Sequence, residues 1–236
     1  RSPERMDSRS FPATVCPSHA IMSPSSPSPA GVVKALVREF RMAIAIRDVR
    51  DNDLDAVMAL NNGAGQGILP LDASQIRFFM REAEYFRVAE MDGEVIGFLI
   101  GVLPEAPYTS SNFLWFRERY PRFLYVDRIV VAGSRRGAGL GRIFYADVTS
   151  YAEVRVPLLC CEVFLEPRND AALLFHGTYG FQEVGQHAMT ESGRKVSMLV
   201  KELPSFTFVE QTYLHHGGLP REDWLDSRRT TLADNH

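Results

Sequence analysis

The sequence predicts an α/β fold of about seven strands and about four helices, in the order β-α-α-β-β-β-α-β-α-β-β. Three observations carry this. Short β-branched and aromatic runs alternate with segments of helical periodicity. Asp92-Gly93 stands between two strand-like runs, which is the strongest short hairpin signal. The glycine-rich run Arg135-Arg136-Gly137-Ala138-Gly139-Leu140-Gly141-Arg142 follows a strand-like run and opens a helix-like one.

The elements follow in order. Ala43 to Val49 alternates and reads as a strand. Asp53 to Leu60 reads as a helix with Asn52 as its cap. Asp72 to Glu84 is a second helix, with Ile76, Phe79, Met80 and Ala83 on one face. Tyr85 to Met91 and Glu94 to Leu103 form the hairpin, and a loop from Pro104 to Arg122 follows. Phe123 to Ala132 reads as a buried strand. After the glycine-rich run, Ile143, Phe144, Val148, Tyr151 and Ala152 recur at helical spacing. Leu158 to Leu165 is a strand, and Asp170 to Tyr179 a helix that Gly180 ends in a left-handed conformation. Phe181 to Met189 and Val196 to Leu203 are the last strands, joined by Thr190-Glu191-Ser192-Gly193.

These elements occupy a domain over 43–203. Residues 1–42 are dominated by Ser and Pro up to Pro29, cannot bury enough apolar surface to fold, and are expected to be disordered. The chain opens on Arg1, and Met42 stands just before the first strand-like run as a candidate domain start. Arg1, Arg5, Arg9 and the serines suit a targeting peptide, but Glu4, Asp7 and the prolines oppose a clean amphipathic transit helix. Residues 204–236 read as a polar tail with scattered apolar anchors, among them Phe206 and Phe208.

A hydrophobic content of 45% over 236 residues is enough for one ordinary core. The net charge of -3 gives no reason to expect electrostatic docking to nucleic acid or an anionic membrane. No apolar run approaches the ~20 residues that span a bilayer. Three cysteines (Cys16, Cys160, Cys161) make no disulfide framework and no zinc spacing, so a reducing cytoplasm is the simplest home and no metal is expected. Cys160 and Cys161 are strand neighbours that point to opposite faces, as packing groups.

The glycine-rich run carries the chemistry. Glycines between strand and helix let backbone N–H groups approach a phosphate closely, and the helix N-terminus adds favourable partial charge. Spacing decides which cradle this is. No Gly-Lys-Ser/Thr is present, so it is not a P-loop. A dinucleotide fingerprint needs its third glycine where Arg142 stands; Gly141 comes one residue early. A pyrophosphate must not be buried unpaired. N–H groups of Gly137, Ala138, Gly139, Leu140 and Gly141 can bind its oxygens, and Arg136 or Arg142 can add charge-assisted bonds.

The arrangement Arg136-x-x-Gly139-x-Gly141 resembles the acetyl-CoA loop of the GNAT N-acetyltransferase superfamily. Three further features match over roughly 43–203: the strand end Arg128-Ile129-Val130-Val131, the segment Asn169-Asp170-Ala171-Ala172-Leu173-Leu174-Phe175-His176, and Tyr179-Gly180-Phe181-Gln182-Glu183-Val184-Gly185. The strings SSNFLWFRERYPRFLYVDRIVV and CEVFLEPRNDAALLFH resemble a bacterial branch of the superfamily, for which the resemblance names the chemistry but no substrate. The order of elements is similar to that family's fold, a mixed, mostly antiparallel sheet with one parallel crossover.

The resemblance implies acetyl-CoA as co-substrate, without a metal, and acetyl transfer to a primary amine by direct attack in a ternary complex. The acceptor is a small molecule or a peptide, and a homodimer is admitted. The strands 123–132 and 158–165 would splay to hold pantetheine along Ile129, Val130 and Val131, and the N–H of Val130 or a neighbour would polarise the thioester carbonyl. Asn169, Phe175 and His176 would line the pantetheine side; Asn169 also suits a helix cap. The superfamily's usual acid is a Tyr, and here His176 stands at that position. A histidine can donate near neutrality.

For the base, Tyr125 and Asp127 share a strand face with Ile129, and Glu162 on the adjacent strand is a second candidate. Asp127 either takes the amine proton or pairs with Arg128 or Arg122. The rings at Tyr108, Phe113, Trp115, Phe116 and Tyr120, and the run Asn61-Asn62-Gly63-Ala64-Gly65-Gln66-Gly67, are expected around the acceptor. A rival reading from another class is a non-catalytic acyl-CoA-binding or regulatory module with the same fold.

Overall fold

A computed structural model describes residues 44–190 and 192–220. The expectation for residues 1–42, and for the tail from 221 onward, lies outside the described residues. Seven strands form one sheet: β1 (Ala45–Asp48), β2 (Tyr85–Met91), β3 (Glu94–Val102), β4 (Leu124–Val131), β5 (Leu158–Phe164), β6 (Gln182–Ala188) and β7 (Lys195–Glu202). Their order is β1-β2-β3-β4-β5-β7-β6, antiparallel throughout except for β4 against β5. Six helices are present: α1 (Leu54–Asn62), α2 (Ala73–Glu82), α3 (Ser111–Arg117), α4 (Leu140–Ala152), α5 (Asp170–Thr178) and α6 (Ser205–Thr212).

The sheet is buried on both faces, so its central strands are apolar on both sides. One face packs Phe98, Ile100, Tyr125 and Cys160 against Val57 of α1, Phe79 of α2 and Phe113 and Phe116 of α3. The other packs Leu99, Leu124, Leu159 and Cys161 against Phe144, Tyr145 and Val148 of α4 and Phe206 of α6. The two cysteines thus face opposite ways, and burial pushes both thiols well above their ordinary range. They are packing groups.

Local chemistry accounts for most element ends. Asp72 caps α2, its Oδ1 accepting from the N–H groups of Ser74 and Gln75 (both 2.8 Å), while Gln75 Oε1 accepts from Asp72 N–H at 3.0 Å. Asp92 (φ 53°) and Gly93 (φ 81°) turn the β2–β3 hairpin, and Gly180 (φ 81°) follows α5.

The cap expected at Asn52 is absent. A 3-10 turn, Asp51–Asp53, precedes α1, and the Asp53 carboxylate accepts from Arg50 N–H (2.7 Å) and pairs with Arg47 (2.7 Å).

Two helices lie where loop and tail were expected, giving six helices among the described residues instead of about four. In α3 the aromatic run has modest helix propensity, but burial of Asn112, Phe113 and Phe116 against the sheet overrides it. Its Trp115 lies on β6, where a Cβ at Gly185 would sit 2.9 Å from the indole. In α6 only Phe206 and Val209 are buried, a stripe too short to show a period. Arg122 fixes it, pairing with Glu210 at 2.6 Å and lying 4.9 Å over the Phe206 ring.

Candidate active site

The glycine-rich run folds into a cradle. A 3-10 turn, Gly133–Arg135, leads to an extended Arg136, and Gly137 (φ 81°) and Gly139 (φ 84°) take left-handed conformations. No L side chain adopts those readily. Gly139 is the N-cap of α4. Ala138 N–H turns back to Arg135 C=O (3.3 Å), so of the five donors expected it is already engaged. Among the described residues, the N–H groups of Gly137, Gly139, Leu140 and Gly141 have no main-chain acceptor. They stand at a helix N-terminus, where partial positive charge accumulates. Gly141 is required for another reason: a Cβ there would lie 3.0 Å from the Phe175 ring, where α5 packs on α4.

From the cradle a groove runs along Ile129, Val130 and Val131, bounded by Arg136, Asn169 and the α1–α2 loop. It exists because β4 and β5 pair only at Leu124↔Leu159 and Tyr125↔Cys160 and then part. The ladder to β3 shows which amides face the gap. Ala132 N–H bonds Ile96 C=O, and Val130 stands opposite Phe98, so residues 132 and 130 direct their N–H groups into the sheet. The N–H groups of Ile129 and Val131 point into the groove. Val130 itself, first in line by sequence, does not.

A β-bulge changes the faces. Ile100 pairs with Arg128 but Gly101 with Val126, leaving Asp127 as the extra residue. Tyr125, Asp127, Arg128 and Val130 therefore lie on the α1–α2–α3 face, and Ile129 on the opposite one. Tyr125 and Asp127 share a face as expected; Ile129 does not share it.

On that face two carboxylates come together. Glu162 accepts from Tyr125 Oη (2.7 Å) and Asn112 Nδ2 (2.9 Å). Asp127 accepts from Tyr108 Oη (2.5 Å) and Arg128 Nε (2.6 Å). Arg128 extends to Asn61 Oδ1 (2.8 Å) and Leu69 C=O (3.1 Å), fixing the α1–α2 loop. Burial, together with the charge of Asp127, raises the Glu162 carboxyl to about 7. Of the two readings for Asp127, ion pair and base, the geometry provides the ion pair with Arg128; Arg122 is engaged with Glu210.

On the opposite face, His176 is buried against α4. Its Nδ1 lies 2.7 Å from Ala172 C=O and must carry the proton, since a carbonyl only accepts. Nε2 then accepts from Tyr145 Oη at 2.7 Å. Burial lowers the imidazole below its ordinary range, so the ring is neutral. The proton between the two residues belongs to Tyr145. Tyr145, His176, Asp127 and Glu162 all line one cleft of about 200 Å³.

The sequence-predicted residues thus converge. Asn169 caps α5, accepting from Ala172 N–H (3.1 Å), and also borders the groove; both expected roles coexist. Arg136 reaches Ala64 C=O at 3.3 Å beside the groove, and Arg142 is exposed at the start of α4. Tyr108 was expected among the acceptor rings and Arg128 as a partner of Asp127; Asn112 and Tyr145 carried no site role in the sequence, since their partners Glu162 and His176 lie far along the chain. Among the described residues, no group of three or more His, Cys, Asp and Glu could hold a metal ion, and no helix is long and apolar enough to cross a membrane.

Comparison with known proteins agrees with this arrangement. Residues 54–181 match the family model of the acetyltransferase (GNAT) family. A search of curated proteins finds no match. Among solved structures, Ard1 from Thermoplasma volcanium is similar at 19% identity, with a TM-score of 0.56 over 69% of this chain and 99% of that one. The ribosomal-protein-S18-alanine N-acetyltransferase from Escherichia coli shares 18% identity (TM-score 0.51, covering 68% and 94%). Arabidopsis thaliana Naa50, in complex with the bisubstrate analogue CoA-Ac-MVNAL, shares 16% (TM-score 0.52, covering 68% and 99%). At such identity these structures speak for the fold. Together with the family match across more than half its length, they settle its membership: the chain belongs to the GNAT acetyltransferase family.

Proposed function

We propose that the protein is an N-acetyltransferase that moves the acetyl group of acetyl-CoA to a primary amine by direct attack in a ternary complex, in the cytoplasm. The observation that carries this reading is the cradle, whose N–H groups at Gly137, Gly139, Leu140 and Gly141 have no main-chain acceptor among the described residues, and whose Arg136 borders the groove beside β4. Those donors suit a diphosphate, and Arg136 and Arg142 can add charge-assisted bonds. The groove along Ile129–Val131 suits a pantetheine arm, with Asn169 on its far side.

The residues divide the reaction between two faces of the sheet. Glu162, with Tyr125 and Asn112 holding its two oxygens, takes the proton of the attacking amine as the N–C bond forms. Asp127 raises the proton affinity of Glu162 and is itself held by Tyr108 and Arg128. The N–H of Ile129, turned into the gap, stabilises the charge developing on the carbonyl oxygen, a contribution of ~3 kcal/mol for such a donor. As the C–S bond breaks, the Tyr145–His176 pair lies on the thiolate side to return a proton. His176 is neutral, so the hydroxyl of Tyr145 is the donor and the imidazole its positioning partner.

The same cradle would serve a non-catalytic acyl-CoA binder, and the change from Tyr to His at 176 favours that alternative. A carboxyl near 7 beside the gap favours the enzyme. Measuring CoA release from acetyl-CoA with and without amines tests the choice. Acceptor-dependent release is expected; binding of acetyl-CoA with no release for any amine would support the binder.

A further inference from the structure

On the acceptor side of the cleft two carboxylates, Asp127 and Glu162, face one cation, Arg128. Tyr108 and Tyr125 direct their protons to Asp127 and Glu162. Arg128 is the cation there, and it is engaged: Nε on Asp127, the guanidinium reaching Asn61 and Leu69 C=O and lying 5.5 Å over the Phe79 ring. Both hydrogen-bond partners of Glu162 are neutral. Asn112 Oδ1 beside it is fully buried and has no donor among the described residues. Besides the Ser110 hydroxyl, the side-chain donors at the wall are Arg128 Nη2 and, toward the groove, Asn169 Nδ2. A ligand seated here is favoured by positive charge; a negative group on it meets two carboxylates and one guanidinium already paired with Asp127.

The chamber is also small. The cleft of about 200 Å³ falls below the 300–1,000 Å³ of ordinary ligand sites, and two wider openings of about 390 and 500 Å³ lie toward the cradle. Ile68, Leu69, Phe164 and Met189 give it apolar walls. Arg194, on the turn before β7, donates to Gln66 C=O at 2.8 Å and lies 5.0 Å over the Phe164 ring, tying that turn to the α1–α2 loop. This tie joins the Gly67 and Phe164 edges of the cleft and narrows the way in for an extended chain.

We infer that the acceptor is a compact organic cation: an aliphatic or arylalkyl primary amine with no carboxylate on the amine-bearing carbon, and neither a free α-amino acid nor the N-terminus of a polypeptide. The inference rests on the acetyltransferase reading above. An α-carboxylate would lie within one bond of the amine carbon, beside Glu162 and Asp127, where like charge repels. The ring of Tyr108 at the wall favours an organic cation over a neutral polar group.

The test uses matched trios with the full-length protein at saturating acetyl-CoA: phenethylamine, phenylalanine and a tripeptide beginning with phenylalanine, then isoamylamine, leucine and a tripeptide beginning with leucine. CoA release is read at pH 8. In each trio the simple amine is expected to exceed the amino acid and the peptide at least tenfold in kcat/KM. Equal or greater kcat/KM for an amino acid or a peptide overturns the inference. Silence from all six, with acetyl-CoA bound by calorimetry, overturns it as well. Failure to bind acetyl-CoA at all would instead remove the reading beneath it. Arg194→Ala, which releases that tie without touching the carboxylates, should raise peptide turnover relative to the wild type; no change would contradict the steric half of the argument.

Discussion

The hydroxyl of Tyr125 on β4 donates to Glu162 on β5 across 2.7 Å, directly beyond Tyr125↔Cys160, the last rung at which the two strands pair. The bond bridges the point where the sheet opens. It holds a carboxylate at the mouth of the gap, with burial and Asp127 raising that carboxyl to about 7.

A base is active when ionised, so kcat should rise with pH through about 7 and then level off. Replacement Glu162→Gln keeps the shape and removes the titration. It is expected to lower kcat by about 10²-fold or more, to abolish the limb near 7, and to leave acetyl-CoA affinity unchanged. A pH–rate profile identical to the wild type would exclude Glu162 from proton transfer.

Tyr145→Phe should depress kcat without changing acetyl-CoA affinity, because the phenol, and not the imidazole, carries the proton between them. His176→Ala should do more harm to stability, since it leaves the fully buried Tyr145 hydroxyl without its acceptor at a cost of about 1–3 kcal/mol, with a cavity penalty added. Urea unfolding measures it. His176 also links stability to pH. Its folded pKa lies below the ordinary value of about 6.5, so its contribution is intact above that value and is lost as pH falls through the lowered one. In His176→Gln that share of the acid dependence should vanish.

How much of this was legible in the chain depends on the range of the signal. The hairpin at Asp92-Gly93, the cradle at 136–141 and the C-cap at Gly180 are local: backbone conformations few residue types can adopt. The left-handed turn at Asp92-Gly93 and the left-handed glycines Gly137, Gly139 and Gly180 appear where the sequence put them. Nothing in FLYVDRIVVA marks the bulge at Asp127, because one inserted residue leaves a run of β-branched residues looking unbroken. The face of Ile129 was misassigned for that reason, and the sequence named Val130 or a neighbour as the amide in the gap without deciding between them. Tyr145 drew no reading in the sequence, since its partner lies 31 residues on. Asn112 was hidden in a ring-rich stretch whose helix is enforced by packing alone.

The segment after Leu203 is part of the fold as far as α6. Phe206 is fully buried beneath Arg122. Phe206→Ala is expected to destabilise the domain by about 3–5 kcal/mol, read from the denaturation midpoint. A loss under 1 kcal/mol would show that α6 is only loosely held.

Gly139 links conformation to binding most simply. Its φ of 84° is strained for any β-branched residue. Gly139→Val should therefore turn the amides of the cradle away while circular dichroism still reports a folded domain. Gly141→Val should act through Phe175, displacing α5 from α4.

Calorimetric titration of the protein with acetyl-CoA puts the cradle to the most direct trial. Saturable one-to-one uptake, weakened at least tenfold in Gly139→Val, is the predicted result. Absence of heat with acetyl-CoA and with every other acyl-CoA tried, or equal affinity in the variant, would contradict the account at its base.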